Sequence, residues 1–190
     1  MYELIAGADE AGRGPLAGPV TAAAVILPHK HNIRNLMDSK KLGSRRRANM
    51  AKIIKEQALC YAVSFVDQAE IDRINILQAS LKAMRQAVEK LEPKPTKVLV
   101  DGNKAPEITG MQVTPIIKGD ATTKEISAAS ILAKTARDEL MLKYDKFFPE
   151  YGFARHKGYG TKFHLEALAS YGACELHRKS FAPVKRLVSK

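Results

Sequence analysis

Residues 7–20 read Gly7-Ala8-Asp9-Glu10-Ala11-Gly12-Arg13-Gly14-Pro15-Leu16-Ala17-Gly18-Pro19-Val20. Two adjacent carboxylates, Asp9 and Glu10, close an apolar run (Leu4, Ile5, Ala6, Ala8), and an arginine between two glycines follows at once. The run predicts a buried strand. Acids at its mouth are costly there unless a positive charge compensates them. Arg13 is the one cation nearby in sequence, so a divalent metal is a natural second partner. Gly12 and Gly14 let the backbone turn sharply and approach a ligand closely. Acids for a metal beside exposed amides for a phosphate suit metal-assisted chemistry on a nucleic acid.

Outward from this stretch the pattern alternates between strands and helices. Residues 2–9 and 20–27 read as strands, separated by the turn residues Pro15, Gly18 and Pro19. Ala48, Ala51, Ile54 and Ala58 give one face of a helix over 44–57, and 58–66 reads as a third strand. Ile74, Leu77, Leu81, Met84, Val88 and Leu91 predict one long amphipathic helix over 71–91, stopped by Pro93 and Pro95. Short strands are expected at 96–100 and 111–117. Thr122-Thr123-Lys124-Glu125 resembles a capping box opening a helix to about residue 142. Its small residues Ser127, Ala128, Ala129, Ser130 and Ala133 permit close packing. A further helix is expected near 162–170. The whole predicts an α/β fold, divided into a core over 1–146 and a basic, substrate-binding extension over 147–190.

Three predicted strands end in acids: Asp9 and Glu10, then Asp101, then Asp120 after a short turn. Strand ends of α/β sheets hold side chains rigidly yet within reach, which is where sites assemble. Four gathered carboxylates repel unless cations lie between them. Two metal ions about 3.5–4 Å apart are a known device for phosphodiester hydrolysis, and oxygen donors favour Mg²⁺ or Mn²⁺. Two of the acids also have a plainer reading, whereas Asp9 and Glu10 beside a glycine turn are not a routine packing solution. Asp101 before Gly102-Asn103 is a common turn residue, and Asp120 suits a helix N-terminus.

Charge points the same way. Lysine and arginine number 31 against 20 acids, a formal net charge of +11. Residues 151–190 carry eight of those cations against Glu166 and Glu175, which implies a polyanionic partner, with Arg178 and Lys179 among the expected phosphate contacts. Cys60 and Cys174 are too few for a disulfide framework or a four-ligand zinc site, and Cys60 is expected to be packed. His156, His164 and His177 are unneeded by hard-metal chemistry, so a structural or DNA-contacting role is expected. No signal peptide, spanning segment or coiled coil is visible, so a cytoplasmic monomer without membrane contact is expected.

Several blocks together resemble the type 2 ribonuclease H family: residues 9–20, Asp38-Ser39-Lys40-Lys41-Leu42, Val100-Asp101-Gly102-Asn103, Lys118-Gly119-Asp120 and Ile126 to Lys134. Tyr151-Gly152-Phe153, His156-Lys157-Gly158-Tyr159-Gly160-Thr161 and His177 to Pro183 continue the match in the family's order. Arg13 between its glycines and a motif starting at residue 9 are similar to the bacterial HII branch rather than HIII. The resemblance implies an RNase H-like mixed five-stranded sheet flanked by helices, with a small C-terminal helical lobe. It implies an endonuclease that cuts the RNA strand of RNA–DNA hybrids and incises duplex DNA at embedded ribonucleotides. The implied chemistry uses two metal ions, leaves 3′-OH and 5′-phosphate ends, and serves ribonucleotide removal and repair.

By the same resemblance, Asp9, Glu10, Asp101 and Asp120 hold Mg²⁺ or Mn²⁺. Gly12, Arg13 and Gly14 contact the 2′-OH and backbone at the scissile ribonucleotide, and Tyr159 stacks on the sugar of the next deoxynucleotide. Lys40 and Lys41 are expected phosphate contacts. The basic tail at 184–190 is a candidate contact for a sliding clamp. A non-catalytic nucleic-acid binder and a junction resolvase are the competing readings. Strand-end acids argue against the first, and the Gly-Arg-Gly turn with Tyr159 against the second.

Overall fold

The structure, a computed structural model, describes residues 3–34, 36 and 43–188. Lys40 and Lys41, with the rest of the block at 38–42, lie outside the described residues. Five strands form one mixed sheet in the order β3-β2-β1-β4-β5. They are β1 (Ile5–Ala11), β2 (Val20–Ile26), β3 (Cys60–Val66), β4 (Lys97–Asp101) and β5 (Gln112–Ile116). β1 is antiparallel to β2 and parallel to β4, so its C-terminal end lies beside the C-terminal end of β4. The mixed five-stranded sheet flanked by helices matches the sequence-based expectation.

Period-two alternation divides the strands between two apolar layers. Ala6, Ala8, Val20, Ala22, Ala24, Val98 and Val100 pack against α3 (Ile76–Glu89) on one face. Ala23 and Val25 pack on the other face with α1 (Ser44–Gln57) and α5 (Lys124–Phe147). The small residues of α5 permit the close approach expected of them. A Cβ on Gly7 of β1 would lie 2.1 Å from the backbone carbon of Glu125, so only glycine lets this helix start so near the central strand.

Two helical expectations need correction. Residues 71–91 do not form one helix: α2 (Gln68–Ile74) ends and α3 begins at Asn75, whose φ is 68°. The Asn75 side chain accepts from the Gln78 N–H, so a mid-pattern asparagine serves as a cap. The buried stripe of α3 consists of Ala79, Ser80, Ala83, Met84, Ala87 and Val88, while Leu77 and Leu81 are only half-buried. The capping box is also unmade. Thr122 belongs to the single turn α4 (Gly119–Thr122) and its hydroxyl donates to the Lys118 carbonyl, leaving Thr123 at the start of α5 without a side-chain cap. α5 runs to Phe147, beyond the expected end.

After α5 come a 3-10 turn (Pro149–Tyr151), α6 (Phe153–His156), α7 (Lys162–Tyr171) and α8 (Ala182–Val188). Tyr151, Phe153, Ala167 and Leu176 form a small core of their own with Ala17 and Met141. No helix among the described residues is long and apolar enough to cross a membrane.

Candidate active site

Asp9 sits on the face of β1 that meets α5, where it is buried and hydrogen-bonds Ser130. Ala8 pairs with Val100, so Asp9 and Asp101 are the next residues on two parallel neighbours. β1 continues to Ala11, which places Asp9 and Glu10 inside the strand rather than beyond its end. Asp101 closes β4, and its Oδ1 accepts from the Asp120 N–H at 3.3 Å. Asp120 is buried in the single turn after β5. Glu10 accepts from Arg13 Nη1 at 3.3 Å. Two adjacent strands, and the turn after a third, thus bring the four expected acids to one end of the sheet.

The electrostatics carry the strain of that gathering. Burial raises the Asp9 carboxyl well above its ordinary range, and the Glu10 and Asp101 carboxylates push it further. Burial also raises Glu10, against the pull of the Arg13 guanidinium. Among the described residues, no three His, Cys, Asp or Glu side chains converge tightly enough to hold an ion as they are placed. The donor set nevertheless suits a hard divalent cation: four carboxylates, no thiolate and no imidazole. Added positive charge would relieve the repulsion that keeps Asp9 and Glu10 from ionising freely.

A cleft of about 470 Å³ opens beside these acids, lined by Glu10, Gly12, Arg13, Gly14, Arg47, Ser130, Lys134 and Tyr159. Tyr159 is 43% exposed, and a Cβ on Gly14 would lie 3.7 Å from its Cε1. The glycine loop and the tyrosine, 145 residues apart in sequence, therefore form one wall. Lys134 lies 5.7 Å from the ring centre and pairs with Asp138 at 2.6 Å. A larger groove of about 610 Å³ lies on the α3 side of the sheet. It contains none of the four acids, and its Glu70 is already paired with Arg73 and Lys82, so the smaller cleft is the functional one.

Two buried arginines fix the loop, and sequence reading missed both roles. Arg137 of α5 donates to the carbonyls of Pro19, Lys157 and Ala17 at 2.9–3.1 Å. Arg178 donates to Gly18, Arg13 and Gly12 at 2.9, 2.9 and 2.6 Å. Both side chains are fully buried. Burial, with Arg137 as a second cause, lowers Arg178 to about 9. Arg178 is therefore not the phosphate contact expected of it, because its donors are spent on backbone carbonyls. Gly12, at φ +95°, is required here: a Cβ would lie 2.1 Å from Arg137 Nε. The sequence did carry a signal for Arg137, which continues the four-residue spacing of Ala133 and Met141 on the buried side of α5.

The three histidines are buried, which selects the structural reading over DNA contact. His164 and His177 are both lowered to about 4, chiefly by burial, so they are neutral near pH 7. Cys60 is half-buried against the α3-side core, as expected.

A mixed sheet that gathers carboxylates at adjacent strand ends, beside a cleft lined by arginine and lysine, defines a phosphodiester hydrolase acting on nucleic acid. Comparison with known proteins gives the family. The sequence profile of Ribonuclease HII matches residues 6–184. The ribonuclease HII of Albidiferax ferrireducens is 56% identical over 97% of this chain and 89% of its own length. That of Idiomarina loihiensis is 53% identical over 98% and 99%. Among solved structures, ribonuclease H2 from Pyrococcus horikoshii superposes with a TM-score of 0.82 at 27% identity, covering 97% of both chains. The RNase HII in a PCNA complex from Archaeoglobus fulgidus gives 0.81 at 27% identity, covering 94% and 95%. Bst RNase HIII in complex with Mn²⁺ shares the fold, with a TM-score of 0.74 at 21% identity over 98% of this chain and 70% of its own. The chain belongs to the ribonuclease HII family. It is an enzyme, a nuclease of the hydrolase class with ribonuclease H activity.

Proposed function

We propose that this enzyme cuts the RNA strand of RNA–DNA hybrids and incises duplex DNA at single embedded ribonucleotides, leaving 3′-OH and 5′-phosphate ends. The observation that carries this reading is the shared cleft of Glu10, Gly12, Arg13, Gly14 and Tyr159 beside the coupled acids. Asp9, Glu10, Asp101 and Asp120 would hold divalent cations, Mg²⁺ or Mn²⁺. When bound, such ions supply charge for the developing oxyanions and lower the pKa of water. The existence of a Mn²⁺ complex of Bst RNase HIII supports the choice of ion.

The chain's own residues then act as readers. RNA differs from DNA at the 2′-OH, so selecting one ribonucleotide requires a hydrogen bond to that group. The loop at Gly12–Gly14 is anchored to Arg178 through the Gly12 and Arg13 carbonyls, and it presents backbone and Arg13 to the cleft. Tyr159 offers a ring face for the sugar of the next deoxynucleotide. Arg47 and Lys134 line the same cleft and supply positive charge for the strand's phosphates. The extension from residue 147 onward contributes Tyr159 and the Arg178 anchor. The archaeal PCNA complex keeps a sliding-clamp contact for the C-terminal tail as a proposal.

Three duplexes test the reading: all DNA, DNA with one ribonucleotide, and an RNA–DNA hybrid, each with Mg²⁺ and with Mn²⁺. Cleavage of the second and third, with the first intact, is the expected result. Cleavage of the all-DNA duplex, or no cleavage of the single-ribonucleotide duplex, would overturn it.

A further inference from the structure

The backbone of Tyr159 is held by a line of buried histidines with no part in hydrolysis. The Tyr159 carbonyl lies 2.9 Å from His164 Nδ1, and His164 Nε2 lies 3.1 Å from His177 Nε2. At the far end, the Cys174 N–H donates to His177 Nδ1 at 3.0 Å. The Cys174 Sγ lies 3.1 Å from the same nitrogen, and starting from the Cys174 N–H the contacts assign one tautomer to each ring. His177 Nδ1 is an acceptor, so in the neutral ring its Nε2 carries the hydrogen and donates to His164 Nε2. His164 must then carry its own hydrogen on Nδ1 and donate it to Tyr159. A neutral, one-directional chain runs from the Cys174 amide to the Tyr159 carbonyl.

The chain ends on a residue whose position depends on its backbone. Tyr159 is partly exposed to the cleft, and its backbone is tied on both sides: its N–H donates to the His156 carbonyl at 2.9 Å, and its carbonyl accepts from the Thr161 N–H at 2.8 Å as well as from His164. Next to it, the Gly158 N–H donates to His156 Nδ1 and the Gly158 carbonyl accepts from the Leu16 N–H at 2.8 Å. Residues 174–178 bond the same loop from the other side, through Gly18 N–H to the Leu176 carbonyl and Arg178 N–H to the Leu16 carbonyl. The histidines thus lock Tyr159 to the segment that also holds the glycine loop.

We propose that His164, oriented by His177, is a positioning residue for Tyr159 and so sets the enzyme's preference for a ribonucleotide–deoxyribonucleotide junction. The proposal rests on the junction-reading role given to Tyr159 above. His164 touches no substrate; it acts through the tyrosine's carbonyl.

The test compares His164→Leu, which removes the donor, with His164→Asn, whose side-chain amide can reproduce the Nδ1–H. Each is assayed for kcat/KM on a single-ribonucleotide duplex and on a continuous RNA–DNA hybrid, with Tyr159→Ala in parallel. Removing one hydrogen bond predicts a drop of about tenfold for His164→Leu on the first substrate, with less than about threefold on the second. His164→Asn is expected to recover most of that activity. Histidine ¹⁵N spectra of the parent protein at pH 7 are expected to show His164 protonated on Nδ1 and His177 on Nε2. If Tyr159→Ala shifts the substrate ratio and both His164 variants keep the parent ratio, the positioning role falls alone. If Tyr159→Ala leaves the ratio unchanged, the reading of Tyr159 falls and takes this proposal with it. A His164 proton on Nε2 overturns it independently, even where His164→Leu does not fold.

Discussion

At the scale of single residues, the acid edge trades stability for a binding site. Asp9 is buried and faces two other carboxylates, offset in part by hydrogen bonds from the Ser130 hydroxyl and the Glu10 N–H. Its raised pKa means the native state binds a proton more tightly than the unfolded chain does. Stability from this group is therefore present at low pH and is lost as pH rises through the native pKa. Asp9→Asn removes the ionisable group while keeping its shape. Cleavage is expected to fall on the order of a thousandfold. The metal-free protein is expected to melt higher, by about 2–4 °C for each kcal/mol of repulsion relieved. Calorimetry of both proteins at pH 5 and pH 8 checks this, and a lower melting point for the variant at pH 8 would show that Asp9 stabilises the fold.

At the scale of elements, the two buried arginines hold the glycine loop as helices and strands hold their own backbones. Five of the six carbonyls they bind belong to residues 12–19, a segment with little regular structure. Arg178→Met would leave three carbonyls without their donors and is expected to cost about 3–5 kcal/mol. Lys179→Ala, on the exposed neighbour, is expected to stay within about 0.5 kcal/mol. Urea unfolding of the pair decides it, since similar midpoints would mean that water replaces the guanidinium. The strands and α1 were legible in the sequence because period carries them locally, while spacing only singled out the four acids and their shared role came from the family resemblance. Arg178 was not legible, because its partners lie about 160 residues away and nothing in the basic tail distinguishes it from Lys179. The break at Asn75 was hidden for a related reason: the apolar period continues through it, and only the tertiary path requires a positive φ there.

At the scale of the whole molecule, charge and protonation each have a location that composition alone misplaces. With Arg178 buried, part of the excess charge expected of the tail is unavailable to phosphate. α1 instead carries Arg45, Arg46, Lys52 and Lys55 exposed, and its Arg47 lines the cleft. Neutralising Arg45 and Arg46 together is expected to make the log K against log salt slope shallower by up to about 2, since each phosphate left without its cation lowers the slope by about one. An unchanged slope would place the strand elsewhere. The histidine core sets the acid limit of the same molecule. His164 and His177 have native pKa values of about 4, below the ordinary histidine value, because burial disfavours their charged forms. The unfolded chain therefore binds more protons between roughly pH 6.5 and 4. Their contribution is full above that window and is lost as pH falls through it, by up to about 3 kcal/mol per histidine. Since the two share one hydrogen bond, these effects do not add. The groups facing this pair are His156, Cys174, Tyr151 and Phe153, none of them a carboxylate that could offset a new positive charge. Denaturant unfolding at pH 7, 5.5 and 4.5 is expected to show a steep fall for the parent and a shallower one for His164→Asn, which cannot titrate at that position. Parallel curves for the two proteins would place the acid-sensitive groups outside the histidine core.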